Sequence, residues 1–149
     1  ACRDGITWFE GHDLEGVELE DLMGILMVEH GGWAEWLASQ SLWTGALDYV
    51  LPNGTRREEH WVRGQRHREG GPAMVMTQPD GYRYEMYYVE GQRHREGGPA
   101  MVMTQPDGYR YEAYYVEDQL HREGGPAVVA TWPDGTRREE HWVRGQRQQ

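Results

Sequence analysis

The stretch HREGGPAMVMTQPDGYRYEMYYVEGQR, residues 67–93, runs directly into HREGGPAMVMTQPDGYRYEAYYVEDQL, residues 94–120. Shifted by 27 residues, segments 64–90 and 91–117 agree everywhere except at Met86 and Ala113. A period of that length marks a repeat architecture. HREGGPA returns at His121–Ala127, and TRREEHWVRGQR stands at both 55–66 and 136–147. Counted from residue 40 there are four units, 40–66, 67–93, 94–120 and 121–147, preceded by a segment 1–39 without the period. The first half of the first unit, Gln40–Trp43, lacks the His-Arg-Glu signature, as terminal repeats often do.

Each unit reads as a β-hairpin. Pro79-Asp80-Gly81 joins two runs rich in β-formers: proline presets the first turn dihedral, aspartate caps the turn, and glycine takes the left-handed position. Asn53-Gly54, Asp107-Gly108 and Asp134-Gly135 repeat the signal. A three-residue loop sets Gln78 opposite Tyr82, Met76 opposite Tyr84 and Met74 opposite Met86, and opposed residues share a face. One face of the second unit then carries Met74, Met76, Tyr84, Met86 and Tyr88. The other carries Ala73, Val75, Thr77, Arg83, Glu85, Tyr87 and Val89. In the third unit the first face holds Met101, Met103, Tyr109, Tyr111 and Tyr115, whereas Arg57, Glu59, Arg138 and Glu140 take these positions in the outer units. The sheet is therefore expected to be apolar and aromatic in its middle and charged at its ends.

HREGGPA links one hairpin to the next. Its glycines permit positive φ and its proline interrupts a ladder, so it reads as a structural corner in which Arg68 and Glu69 pair with their counterparts in neighbouring units.

The run Tyr84-Glu85-Met86-Tyr87-Tyr88-Val89-Glu90-Gly91-Gln92-Arg93-His94 resembles the Tyr-Glu-Gly-x-Trp-x-x-Gly-x-x-His pattern of MORN repeats, with Trp61 and Trp142 supplying the tryptophan in the outer units. It resembles more specifically the longer His-Arg-Glu-Asp-Gly-Pro-Ala variant seen in bacterial and phage proteins. The resemblance covers residues 43–147; Met86 and Ala113 depart from the usual glycine, and each unit is several residues longer. It implies an elongated, twisted antiparallel sheet serving as a scaffold or partner-binding module. The lipid association of some MORN arrays does not carry over to a chain of net charge −10.

Segment 1–39 carries nine acids (Asp4, Glu10, Asp13, Glu15, Glu18, Glu20, Asp21, Glu29, Glu35) against Arg3. Leu19, Leu22, Met23 and Leu26 have helical spacing, with Gly31-Gly32 as a stop, and Trp33, Trp36 and Leu37 predict a second short helix. Hairpins in one layer leave an apolar face open, so these helices are expected on the sheet with a strongly acidic outer surface. The expected fold is mainly β: an elongated antiparallel sheet of four tandem 27-residue hairpin repeats, with a short N-terminal helical segment packed on it or capping it.

The single Cys2 excludes an internal disulfide framework and a cysteine-based zinc site. The longest apolar run, Leu22–Val28, is about a third of the ~20 residues a membrane helix needs. With no basic leader before it, a cytoplasmic location is the expectation. The negative charge disfavours nucleic acid and anionic membrane. His67, His94 and His121 lack diagnostic metal spacing, and a repeated His–Glu corner supplies no asymmetric pocket, so neither a cofactor, a metal nor catalysis is expected.

The function expected is a non-enzymatic protein–protein interaction or scaffold module. Tyr84, Met86, Tyr88, Tyr111 and Tyr115 are its anchors, Met74 and Met76 lie beside them, and Arg57 and Arg138 form the rim; a homodimer contact would use the same face. One alternative is an acidic mimic of nucleic acid acting through Asp13, Glu15, Glu18, Glu20 and Asp21. Another is an aromatic face that stacks sugars or single-stranded bases.

Overall fold

The computed structural model describes residues 22–24, 31–40 and 43–149. One antiparallel meander dominates, in the order β1 (Gly45–Val50), β2 (Arg56–Val62), β4 (Met74–Thr77), β5 (Arg83–Met86), β8 (Met101–Thr104), β9 (Arg110–Ala113), β12 (Val128–Thr131) and β13 (Arg137–Glu140). The short β3 (Gln65–Arg66) also pairs with β2. Helix α1 (Gly31–Gln40) contains the expected Trp33, Trp36 and Leu37. Residues 22–24 are helical too, while Leu19 and Leu26 lie outside the described residues.

The Pro-Asp-Gly turns set the register. Gln78 N–H donates to the Tyr82 carbonyl at 2.8 Å, Gly81 N–H donates to the Gln78 carbonyl at 3.0 Å, and the Asp80 carboxylate accepts the Tyr82 N–H at 2.9 Å. Gly81 sits at φ 93°. Met76 therefore faces Tyr84, and Met74 faces Met86, as a three-residue loop requires. The pairings Met86↔Met101, Tyr84↔Met103 and Tyr111↔Ala130 carry the same face across the sheet.

Each repeat holds a second hairpin that the sequence reading did not separate. The inner repeats form β6 (Tyr88–Val89) with β7 (Gln92–Arg93), and β10 (Tyr115–Val116) with β11 (Gln119–Leu120). The last forms β14 (Trp142–Val143) with β15 (Gln146–Arg147). Their two-residue turns have positive φ at both positions, as at Glu90 (49°) and Gly91 (78°), the geometry that matches strand twist. A single pivot residue hands the chain from the long sheet to the short hairpin: Tyr87 N–H donates to the Ala100 carbonyl at 2.8 Å, and its own carbonyl accepts the His94 N–H at 3.1 Å. Tyr87 and Val89 thus leave the long strand to which the simple alternation assigned them.

The opposite face of the sheet is a polar ladder with valines between. Val75, Val102 and Val129 are buried, each opposed by glutamates such as Glu85 and Glu112. Those glutamates pair with the arginine two residues earlier, Arg83–Glu85 at 2.6 Å and Arg110–Glu112 at 2.8 Å. Alternation puts each such pair on one side of the strand, and their aliphatic stems shield the valines.

The thickest core lies at the N-terminal end. Met23, Ala34, Ala38, Trp43, Leu47, Tyr49 and Trp61 form one buried cluster between α1 and the first repeat. No helix among the described residues is long and apolar enough to cross a membrane.

Candidate interaction face

The thrice-used HREGGPA is accounted for almost atom by atom as a corner. The histidine Nδ1 accepts a turn N–H from the next short hairpin: His67 from Glu90 at 3.1 Å, His94 from Glu117 at 3.4 Å and His121 from Arg144 at 3.1 Å. The arginine Nη1 donates back to the proline carbonyl of its own motif, Arg95 to Pro99 and Arg122 to Pro126 both at 3.1 Å. The same guanidiniums stack on the pivot tyrosines, Arg95 at 3.9 Å from the Tyr87 ring centre and Arg122 at 4.0 Å from that of Tyr114.

This arrangement explains both glycines. The first, as at Gly97, has φ 73°; at the second, a Cβ on Gly98 would lie 2.9 Å from the Arg95 guanidinium carbon. The closing alanines, Ala73, Ala100 and Ala127, are fully buried. Arg68 thus reaches back to the Pro72 carbonyl of its own corner at 3.3 Å, where the sequence suggested pairing with counterparts in neighbouring units. Glu69, Glu96 and Glu123 are exposed. Among the described residues no group of three or more His, Cys, Asp or Glu is placed to hold a metal ion.

The first repeat has a shortened corner. The Gly64 N–H donates to the Trp43 carbonyl where Gly91 uses Arg66 and Gly145 uses Leu120, and the Arg63 N–H donates to Thr44 Oγ1 at 2.9 Å where the other repeats use histidine. Thr44-Gly45-Ala46 there replaces the seven residues of HREGGPA.

The long-hairpin register brings Met76, Tyr84, Met103 and Tyr111 to one face, and the short hairpins, not the long strands, set Tyr88 and Tyr115 beside it. Tyr84, Tyr88, Tyr111, Tyr115 and Met76 are half-buried, with Met101 and Met103 beside them. Met74 and Met86 are buried, so they form the floor under the tyrosines and are not points of contact. Burial pushes the Tyr84, Tyr88 and Tyr111 hydroxyls above their usual range, and for Tyr84 the nearby Tyr88, Tyr82 and Tyr115 add to it. At neutral pH the face therefore presents neutral hydroxyls that can both donate and accept.

Two arginines missed at the sequence level belong to this face. The Arg66 guanidinium lies 4.8 Å from the Trp61 ring centre and 5.8 Å from that of Tyr88, and Arg93 lies 4.2 Å from that of Tyr115. Such stacking holds each ring in place. Arg93 is also paired with Asp118 at 2.7 Å. The signal was available in the sequence: a Gln-Arg pair ends three of the four repeats.

At the N-terminal end α1 closes the face through Glu35. Its Oε2 accepts from Arg57 Nη1 at 2.7 Å and from the Tyr49 hydroxyl at 3.3 Å, and its Oε1 is paired with Arg66. Beneath it, Glu59 is paired with Arg57 at 2.9 Å and accepts the Trp61 indole N–H at 3.1 Å. Burial raises the Glu59 carboxyl above its usual range despite these arginines, because desolvation outweighs the pairing. Glu35, the one acid in α1, thus faces the sheet, contrary to the expectation of an acidic outer surface for that helix. Asp13, Glu15, Glu18, Glu20 and Asp21, the alternative acidic surface, lie outside the described residues.

No protein-family model matches the chain, and no curated protein matches it.

At the other end of the sheet Arg138 is 67 % exposed, whereas Arg57 is 22 % exposed at the equivalent place under α1. The two residues taken as rim thus have different surroundings. Among the described residues the helix lies on the first repeat, and the inner tyrosines remain half-open beside it.

Proposed function

We propose that the chain is a MORN-like hairpin-repeat module whose work is to bind another protein through the inner repeats. The observation that carries this reading is the half-exposed row Tyr84, Tyr88, Tyr111 and Tyr115 over a methionine floor, beside rather than beneath α1. Tyr88 and Tyr115, held by stacked arginines, keep little conformational entropy to lose on contact, and methionine adapts its shape to a partner. A cytoplasmic setting fits a chain with one cysteine and no disulfide framework. The repeated corner is used up in joining hairpins, which favours binding over catalysis.

The repeats themselves supply the test. Arginine already occupies the positions equivalent to Tyr84 and Tyr111 in the outer units, at Arg57 and Arg138. The double substitution Tyr84→Arg, Tyr111→Arg should therefore keep the fold, as checked by circular dichroism and thermal unfolding. Partner capture from host-cell lysate should be lost with this variant and should resist added salt in the wild type. Capture that survives the substitutions and fails only at high salt moves function to the acidic segment.

A further inference from the structure

The chain contains one surface cluster twice, and among the described residues α1 covers only the first copy. In residues 55–66 the cluster Arg57, Glu59, Trp61 and Arg66 lies under α1; in 136–147 its counterparts are Arg138, Glu140, Trp142 and Arg147. We propose that this second cluster is a docking site for an amphipathic helix of another protein, one that presents a carboxylate between bulky apolar side chains. The site lies on the fourth repeat and goes beyond the inner tyrosine face, sharing with it Tyr111 and the rim residue Arg138.

The fourth-repeat cluster repeats the ion-pair and indole contacts of the first. Arg138 pairs with Glu140 at 2.7 Å, as Arg57 does with Glu59 at 2.9 Å. The Trp142 indole N–H donates to Glu140 at 3.2 Å, as Trp61 does to Glu59 at 3.1 Å. Arg147 stands 4.0 Å from Glu140, where Arg66 stands 3.5 Å from Glu59. Contacts fixed within the repeat itself leave little order to be lost on binding.

Charge selects the occupant. The cluster holds two arginines and one glutamate, leaving one positive charge on a chain that is strongly acidic overall. In the first repeat that excess is met by Glu35, which contacts both Arg57 and Arg66. Among the described residues no acid takes the place of Glu35 over Arg138 and Arg147, whose side chains are 67 % and 61 % exposed. A carboxylate placed between them meets two fork-shaped donors.

The floor selects it further. Opposite Glu59 and Arg57 stand Leu47 and Tyr49, while opposite Glu140 and Arg138 stand Val128 and Ala130. The second floor is lower, so a helix with small inward residues, such as Ala34 and Ala38 of α1, fits it poorly. This argues for a bulkier foreign helix over α1 of a second copy. The Tyr49 hydroxyl that holds Glu35 has no equivalent on Ala130, but Tyr111 lies on the adjacent strand directly opposite it.

The probe is a stapled helical peptide of residues 31–40 in which Ala34 and Ala38 are replaced by leucine, titrated into the full chain and followed by NMR of the tryptophan indole N–H signals. The Trp142 signal should shift while those of Trp43 and Trp61 stay in place. Affinity should fall about tenfold when Glu35 of the peptide is replaced by glutamine, the loss of roughly one charge-assisted hydrogen bond. It should fall at least as far with Arg138→Gln, Arg147→Gln protein, which removes the positive charge without adding a like charge beside Glu140 and is checked as folded by circular dichroism. The unmodified 31–40 peptide should bind more weakly than the leucine peptide. Absence of binding at millimolar peptide, affinity indifferent to either charge change, or shifts confined to Trp43 and Trp61 would each overturn the proposal. Because Tyr84 is remote from this cluster, the peptide should still bind protein carrying Tyr84→Arg alone, which separates failure here from failure of the inner-face reading.

Discussion

In residues 55–66 the sequence TRREEHWVRGQR lies beneath a helix, and in residues 136–147 the same twelve residues face outward. Both copies form the same arginine–glutamate–tryptophan contacts, because strand alternation places residues two apart on one side whatever lies above them. The charged groups nevertheless behave in opposite ways. Burial raises the Glu59 carboxyl, whereas the Trp142 indole, and then Arg147 and Arg138, hold the Glu140 carboxyl below its usual range. Identical local sequence thus specifies contacts, and the environment sets their energetic sign.

The largest effect should come from deleting the twin carboxylates one at a time. Glu59→Ala leaves the half-buried Arg57 and Arg66 to share Glu35 alone and deprives the Trp61 indole of its acceptor, and should cost about 3 kcal/mol in urea unfolding. Glu140→Ala removes an ion pair with an open arginine and should cost about 1 kcal/mol or less. Equal costs would mean that the helix adds nothing to the first copy, and the contrast between the two would collapse.

A smaller effect should be common to both copies. The turn N–H of Arg63 bonds to Thr44 in the first, and that of Arg144 bonds to His121 in the second. Thr44→Val and His121→Ala should each destabilise by about 1 kcal/mol and should speed amide exchange at Arg63 and Arg144 respectively. Exchange left unchanged at Arg144 would remove the structural role assigned here to the HREGGPA histidine.

The subtlest contrast is in acid titration. By carboxyl NMR, Glu59 should titrate above 4.5 and Glu140 below it. The folded value of Glu59 exceeds its unfolded one, so its contribution to stability is present in acid and declines as pH rises through the folded value. For Glu140 the order is reversed: its contribution is present above 4.5 and is lost as pH falls through the folded value. Titration of both in the same direction would mean that α1 does not desolvate Glu59.

The long hairpins were legible because Pro-Asp-Gly leaves few backbone solutions, and that turn carried the Met76–Tyr84 pairing with it. The short hairpins were not. Arg63-Gly64 and Glu90-Gly91 lack the Asn or Asp that usually marks such turns, and Glu117-Asp118 lacks even the glycine, its place held by Asp118 at φ 62°. Continuous alternation from Tyr82 to Val89 hid the pivot at Tyr87 because the break is dictated by the carbonyl of Ala100 in the next repeat. The position of α1 was equally hidden: Glu35 is one of nine acids in its segment, and nothing local distinguishes it.

The period, the long-hairpin turns, their register and the placing of Met76, Tyr84, Met103 and Tyr111 on one face were determined by the sequence alone, since each follows from backbone preferences over a few residues or from alternation. The tertiary structure decided where the chain leaves one hairpin for the next, which of two identical segments is buried, and which way their carboxylates shift. Those outcomes depend on groups distant along the chain, such as Ala100 for Tyr87 and Glu35 for Arg57 and Arg66. They depend also on desolvation, a property of the assembled surroundings that no segment carries in its own composition.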